Sequence, residues 1–588
     1  MTDPRQVQFF EGNPQLQPHP QPIEAADLLV AYLEQIGVEF VFGVPGGAIE
    51  PLYNAMARSA RRGGLRTVVA RHETGAAFMA DGYARESGKL GVCCATSGPG
   101  ATNLITGVAC AYDNEIPMLV ITGQPSLRLL GRGALQESSG AGIDTVDMFR
   151  TCTRYSTLIS HPDQLERQLT NALLSAYQPT PGPVHLSIPL DIQHTIMERG
   201  PAYDLAHLLN PLSAVDDAAV RELQGLLTQS KKVVMLIGGG CGDAIDLIIE
   251  LVERIGGVFV VTPDAKGFIS PRHPLYRGVF GFAGHRSAVA AVEDKEVDLI
   301  LAVGSNLSEW TSNGWSDAVL NNRLVHIDTL ETHLARSPMS RLHVRGGIRP
   351  VFERLLRTLR REGPEEVFVG EKRKFKKASA EDPFKSASID APIKPQYLMR
   401  ELGWRSPSNT RFLTDSGNST TWGIHHLAMH DHEPSRGGWM RVTMNFAPMG
   451  WAIGGAVGTA LANRAVPVVC ITGDGSLLMN GQEMTVALTE KLTVLFVILN
   501  DAALGMVKFG QRMSGAEPIG FELPTVDFKM MAAAMGISGH VIRTAEDFEK
   551  LDLEAILRHQ GPTVLDVRID REEAPPMELR LRTLGSAR

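Results

Sequence analysis

VPVVCITGDGSLLMNGQEMTVALTEKLTVLFVILNDAALGMV, from Val466 to Val507, is the stretch whose reading decides the fold. It holds an apolar run, a tight turn at Gly473-Asp474-Gly475, an amphipathic helical segment, a second apolar run and a turn at Asn500-Asp501. Short β-branched runs bounded by turn residues read as strands. A helix between two such strands makes them parallel. Successive parallel strands end on the same edge of the sheet, where ligands bind. Asp474 and Asp501 are therefore expected close together. Glycines 473 and 475 let the backbone approach a ligand closely. Two hard oxygen donors with a free carbonyl in the next turn suit Mg²⁺, which takes few protein carboxylates and completes its shell from phosphates and water. GDG alone is more often a structural turn. The strand before it, the helix after it and the second acidic turn reverse that balance.

The same rhythm runs through most of the chain. EFVFGVPGG, RTVVAR, GVCCATSGPGATN, PMLVITGQ and PVHLSIPLDIQ form a first block, and KKVVMLIGGG, VFVVTPD, VDLILAVGS and RLVHIDT a second. TRFLTDSG, PVVCITGDG, LTVLFVILND and GPTVLDVRID form the third. The fold class expected is α/β, with three doubly wound parallel-sheet domains at 22–195, 205–362 and 392–572. A Pro/Gln-rich arm (1–21), a charged linker without periodicity (363–391) and a surface tail (573–588) complete the chain. The blocks share an architecture but no close sequence repeat.

Bulk properties narrow the function. The chain has 588 residues, 44% hydrophobic and 21% charged, the balance of a soluble globular protein. A net charge of -8 gives no basic footprint for nucleic acid. Six cysteines (93, 94, 110, 152, 241 and 470) without a C-x-x-C argue against a disulfide framework or zinc site. The N-terminus lacks a signal-peptide pattern, and no apolar stretch is long enough to span a membrane. A cytoplasmic enzyme is expected. His425, His426, His430 and His432 cluster in sequence, but without an H-E-x-x-H pattern they read as a solvated helix end. Cys93-Cys94 reads as core.

A second candidate lies in RHETGAAFMADGYAR (Arg71–Arg85), where Glu73 stands at the change from strand to helix, followed by small residues. An acid there is favoured by the helix dipole alone. The alternative is an acid aimed at a ligand.

GDG, a helix and an N-D turn together resemble the thiamine diphosphate motif of the acetolactate synthase and pyruvate oxidase superfamily. GVPGGAIEPLYNAM, RHETGAAFMADGYAR, ATSGPGATNLITGVACAYDNEIPMLVITGQ and GPVHLSIPLDIQ also look like acetolactate synthase. The likeness is close over about 22–193 and 392–575 and weaker between. It implies pyrimidine-binding, middle and diphosphate-binding domains, in that order. It also implies active sites between two chains, hence a homodimer or homotetramer. Glu73 matches the glutamate that shares a proton with the cofactor's aminopyrimidine nitrogen. Met449 matches the bulky residue that wedges the cofactor into a V. Asp474, Asp501 and the Ala503 carbonyl match the Mg²⁺ ligands. Ser416, Gly417, Asn418, Ser419, Gly473, Gly475 and Ser476 match the diphosphate cradle, with Leu504, Gly505 and Met506 in the adjoining turn. Pro99, Asn103 and Gln136 correspond to positions lining the site, and Gly46 and Gly47 to the turn facing the reacting centre.

The chemistry so implied is decarboxylation of a 2-oxoacid such as pyruvate and transfer of the remaining acyl unit to a carbonyl acceptor. Three departures bear on it. Gly510 stands where synthases place a tryptophan that helps to select the acceptor. Thr153-Arg154-Tyr155 replaces a Thr-Lys-His segment, after a longer loop. GSNLSEWTSNGW (304–315) replaces the flavin segment, so FAD is left open; the GGGCGD turn after VVMLI is weak evidence for a nucleotide. A decarboxylase, C–C lyase or oxidase on the same scaffold, including acyl-CoA chemistry under Arg580 and Arg582, is the enzymatic alternative. A cofactor-binding subunit without catalysis is the alternative of another class.

Overall fold

The computed structural model describes residues 22–178, 180–198, 200–209, 214–362, 392–429, 431–432 and 437–579. The expected arm, the expected linker, His430, Arg580 and Arg582 lie outside the described residues.

Three six-stranded sheets dominate. The first takes, in chain order, strands Phe40–Gly43, Arg66–Val69, Gly91–Ala95, Met118–Gln124, Tyr155–Leu158 and Pro183–Pro189. In space they lie in the order 2-1-3-4-6-5, every pair parallel. The third sheet takes Arg411–Thr414, Met440–Arg441, Val468–Gly473, Val494–Leu499, Ser538–Ile542 and Pro562–Val567, with the same order and the same parallel pairing. The middle sheet differs. Its strands, Val233–Ile237, Val258–Val261, Tyr276–Val279, Leu299–Val303, Leu324–Asp328 and Leu342–Arg345, run 3-2-1-4-5-6, an order that in open α/β sheets places a dinucleotide crevice between strands 1 and 4. A short antiparallel pair, Ile23–Glu24 with Ile196–Met197, stands apart from the three.

Inner strands such as Val233–Ile237 and Val494–Leu499 are buried along their whole length, as expected of strands covered by helices on both faces. Contacts group the described residues into two compact units. One takes those of Met1–Leu212, Phe446–Arg464 and Asn480–Leu492; the other takes those of Ser213–Asn445, Ala465–Met479 and Thr493–Arg588. Two helical pieces of the third block, Trp451–Ala462 and Met484–Thr489, therefore belong by packing to the first unit. There helix Glu73–Ser87 runs against Trp451–Ala462 with its Gly82 on the Gly455 carbonyl. The Trp451 indole N–H donates to Asp81 at 3.1 Å, and Arg85 pairs with the same carboxylate at 2.6 Å. The six cysteines are buried thiols outside any disulfide, Cys93 and Cys94 within the first sheet.

Candidate active site

In the second unit the third sheet brings three strand ends together. Thr414 pairs with Ile471 and Gly473 with Leu499, so Asp415–Ser416, Asp474 and Asn500–Asp501 leave the same edge in register. This edge includes the switch point of the strand order, between the first and third strands. Asp474 is buried, and one of its oxygens accepts the Gly475 N–H at 2.7 Å. Its other oxygen, Oδ2, has no protein partner among the described residues; nor have Ser476 Oγ and Asn418 Oδ1. Burial pushes the Asp474 carboxyl up to about 6, against the pull of neighbouring backbone N–H groups including those of Ala502 and Ala503. Asp501 is pushed up to about 7, first by burial and then by the charge of Asp474 beside it. Two carboxylates that resist ionising side by side, next to orphaned oxygens, are a donor set for a hard divalent cation.

The surrounding loops keep that edge open. Gly417 has φ of 100°, a left-handed conformation that favours glycine, and a Cβ there would meet open space. Gly473 likewise has nothing against its Cβ position. Ser416 N–H donates to Asp415 at 3.0 Å and Ser419 Oγ to the Asp415 carbonyl at 2.6 Å, which ties the turn before helix Asn418–His426. At Gly505 a Cβ would run into the Asn418 amide and sit 3.0 Å from Asp501 Oδ2. Gly505 thus lets Asn418 and Asp501 converge. Leu504 precedes helix Gly505–Ser514 and donates its N–H to Phe521, and Met506 packs against the core. Ala502, with φ of 53°, turns the chain so that Ala503 bridges to Glu522.

In the first unit Glu73 opens helix Glu73–Ser87, with His72 as its N-cap. Asn103 Nδ2 donates to Glu73 Oε2 at 3.0 Å, and Thr74 Oγ1 donates to the Asn103 carbonyl at 2.6 Å. Acid and amide are thus held as a pair from two helices, the second being Pro99–Asp113, which Pro99 opens. A Cβ on Gly100 would lie 3.3 Å from Glu73 Oε1. Thr96 Oγ1 has no partner among the described residues and lies against Gly46, while Gly47 faces open space. Gln136 is exposed, with φ of 56°, and packs on Gly98. Met449 is half-buried beside Gly450, whose Cβ position is closed by Asn480.

Residues that carried no sequence signal also shape these ends. Buried Gln124 grips Ser138 through its N–H, carbonyl and hydroxyl, and Ser138 Oγ accepts the Gly98 N–H at 3.2 Å. Gln124 therefore anchors the loop that carries Gln136. Buried Glu483 accepts main-chain N–H groups from Arg71 and His72.

The histidine-rich segment corrects the sequence reading. The end of helix Asn418–His426 is not solvated, because middle-block side chains cap it. Buried Lys266 donates to the carbonyls of Gly423 at 2.9 Å and Ile424 at 2.5 Å. His285 accepts the Val279 N–H on Nδ1, so its Nε2–H donates to the His425 carbonyl at 2.9 Å. Burial holds Lys266 down to about 7 and His285 to about 3. Among the described residues no group of three or more His, Cys, Asp or Glu is placed to hold a metal. In the middle sheet, Gly238 and Gly240 are pressed against the Gly304 backbone and Gly239 against Asp264. Packing accounts for these glycines without a nucleotide.

Comparison with known proteins converges on one group. The model described as thiamine pyrophosphate enzyme, N-terminal TPP binding domain, matches residues 23–146. The corresponding central domain matches 220–355 and the C-terminal TPP binding domain 415–567. The acetolactate synthase isozyme 2 large subunit of Escherichia coli (strain K12) is 32% identical over 557 residues, covering 94% of this chain and 96% of the relative. The acetolactate synthase of Arthrospira platensis is 31% identical over 569 residues, covering 94% and 95%. The isozyme 1 large subunit of Escherichia coli (strain K12) is 29% identical over 553 residues, covering 93% and 94%.

Proposed function

The chain belongs to the thiamine pyrophosphate enzymes as an acetolactate synthase-like member, and from that premise we propose that it decarboxylates a 2-oxoacid such as pyruvate and joins the remaining acyl unit to a carbonyl acceptor. One observation carries the reading of the site. Asp474 is buried with half-buried Asp501 as its neighbour, and beside them the oxygens of Asp474, Ser476 and Asn418 lack protein partners among the described residues. These groups fit Mg²⁺ and a diphosphate: Asp474, Asp501 and the Ala503 carbonyl would hold the metal. Ser416–Ser419, Gly473, Gly475, Ser476 and the Leu504–Met506 turn would cradle the phosphates.

Bound thiamine diphosphate supplies the electron sink that loss of CO₂ from a 2-oxoacid requires. The chain's own residues supply the rest. Glu73 holds and moves a proton at the aminopyrimidine nitrogen, and Asn103 fixes the carboxylate that does so. Met449 would pack against the bound cofactor. Gly47 leaves room for the reacting carbonyl, with Pro99 and Gln136 at its rim. Gly510 stands in place of a tryptophan that helps synthases to select the acceptor, and its Cβ position meets nothing within 4 Å, so an acceptor or donor different from that of the synthases of branched-chain biosynthesis is proposed. Domains at 22–195, 205–362 and 392–572, a cytoplasmic homodimer or homotetramer, and one cofactor shared by the first block of one chain and the third block of another complete the reading. Among the described residues no helix is long and apolar enough to cross a membrane. A flavin is supported by the middle sheet's strand order alone, and absorbance of the purified protein at the flavin bands tests it.

The test of function is incubation with thiamine diphosphate, Mg²⁺ and a panel of 2-oxoacids, with products identified by mass spectrometry. A carboligation product such as acetolactate is expected. Free aldehyde as the sole product would overturn carboligation in favour of a decarboxylase.

A further inference from the structure

The first unit holds a second carboxylate behind Glu73 that the proposed chemistry does not use. Glu483 is completely buried. Its oxygens accept the Arg71 N–H at 3.1 and 3.2 Å and the His72 N–H at 2.8 Å, the two amides immediately before Glu73. A Cβ on Gly75 would collide with the Glu483 carboxyl, so the acid lies flat on the first turn of helix Glu73–Ser87. The Arg71 guanidinium is turned away, donating to Thr485, Thr489 and the Val69 carbonyl. The amide hydrogen bonds, not an ion pair, thus make the close contact. The strand before this turn ends at Val69 and the helix starts at Glu73, so Glu483 grips the intervening corner.

We propose that Glu483 is a positioning residue for Glu73: its carboxylate pins the Arg71–His72 corner and thereby sets the direction from which Glu73 meets the cofactor. This rests on the reading of Glu73 as the cofactor's proton partner. Charge supports the geometry. Burial pushes Glu483 up to about 7, the two N–H groups and Arg71 pull it down, and the charge of Glu73 pushes it further up. The titratable and charged groups at this corner are Arg71, His72 and Glu73, while Glu490 on the following turn is committed to Arg66 and Arg464.

E483A and E483Q test the assignment, first without cofactor. Amide hydrogen exchange over residues 71–76 is expected to quicken at least about tenfold in E483A and less in E483Q, which keeps one acceptor oxygen. With cofactor and substrate, kcat is expected to fall by about 10- to 100-fold in E483A while KM changes less than about threefold. The acidic limb of the kcat–pH profile should move in both variants. Should E483A fail to fold, E483Q carries the test through exchange and pH profile. Unchanged exchange, or an unmoved profile with full kcat, overturns the proposal. E73Q separates the two readings: full turnover in E73Q sinks the role of Glu73 itself, whereas an inactive E73Q beside Glu483 variants that behave as wild type sinks only the positioning role.

Discussion

The first and third sheets share a strand order, and their candidate residues follow the same four strands. Gly46–Gly47 and Ser416–Ser419 come after the first strands, Glu73 and Met449 after the second. Pro99–Asn103 and Asp474–Ser476 come after the third, Gln136 and Asp501–Met506 after the fourth. Topology therefore places the candidate loops identically in the two sheets, and residue type alone distinguishes them. One set offers a single carboxylate held by an amide, which suits proton exchange with a neutral heteroaromatic ring. The other offers two crowded carboxylates and orphaned oxygens, which suit a cation-bridged anion.

The largest effects should separate the two ends. E73Q should lower kcat by about 10²–10⁴, the scale of a lost acid–base partner, while calorimetry still detects cofactor binding. D474A should do the reverse and abolish Mg²⁺-dependent cofactor binding. If E73Q abolished binding, or D474A left binding intact and only slowed turnover, the division of labour between the sheets would be wrong.

D501N is a finer cut at the metal end. Asparagine keeps an oxygen toward the cation and removes one charge from the crowded pair. A loss of about tenfold in Mg²⁺ affinity, ~1.4 kcal/mol, is expected from titrations of activity against metal. A loss as complete as in D474A would mean that charge, rather than oxygen count, holds the ion. G505A should act more weakly, raising the cofactor Kd a few-fold by prising Asn418 from Asp501, with thermal stability unchanged. An unchanged Kd would remove Asn418 from the cradle.

How much of this was legible follows the same physics. Strands covered on both faces, such as Val233–Ile237 and Val494–Leu499, stand out as apolar runs. The sheet strands that escaped notice are all at edges: Tyr155–Leu158, Tyr276–Val279, Leu342–Arg345, Met440–Arg441 and Ser538–Ile542. Most are only partly buried or very short, so their sequence carries little contrast with a loop. Glu73, Asp474 and Asp501 were readable because each sits at a strand-to-helix or strand-to-turn junction within a local pattern. Glu483 was not, because its partners Arg71 and His72 lie 412 and 411 residues away and an acid on an amphipathic turn looks like surface. The histidine segment misled for the same reason: the lysine that covers its helix end lies 157 residues upstream of Gly423.

That lysine yields the smallest prediction and one with a defined pH dependence. Lys266 satisfies two carbonyls at the end of the helix whose start forms the proposed diphosphate cradle. K266M removes the lysine donor from both carbonyls, leaving that of Gly423 only the Leu427 N–H at 3.2 Å, and should cost about 1–3 kcal/mol of stability, read as a lower urea midpoint. Burial has moved the amine from its ordinary 10.5 down to about 7, so between those values the unfolded chain binds more protons than the folded one. Wild-type stability relative to K266M must therefore rise with pH across that interval and level off below it. Urea midpoints of both proteins at pH 7 and pH 9 should show a larger gap at pH 9. A gap that narrows as pH rises would mean that the folded state prefers the charged amine, with the helix C-terminus outweighing burial.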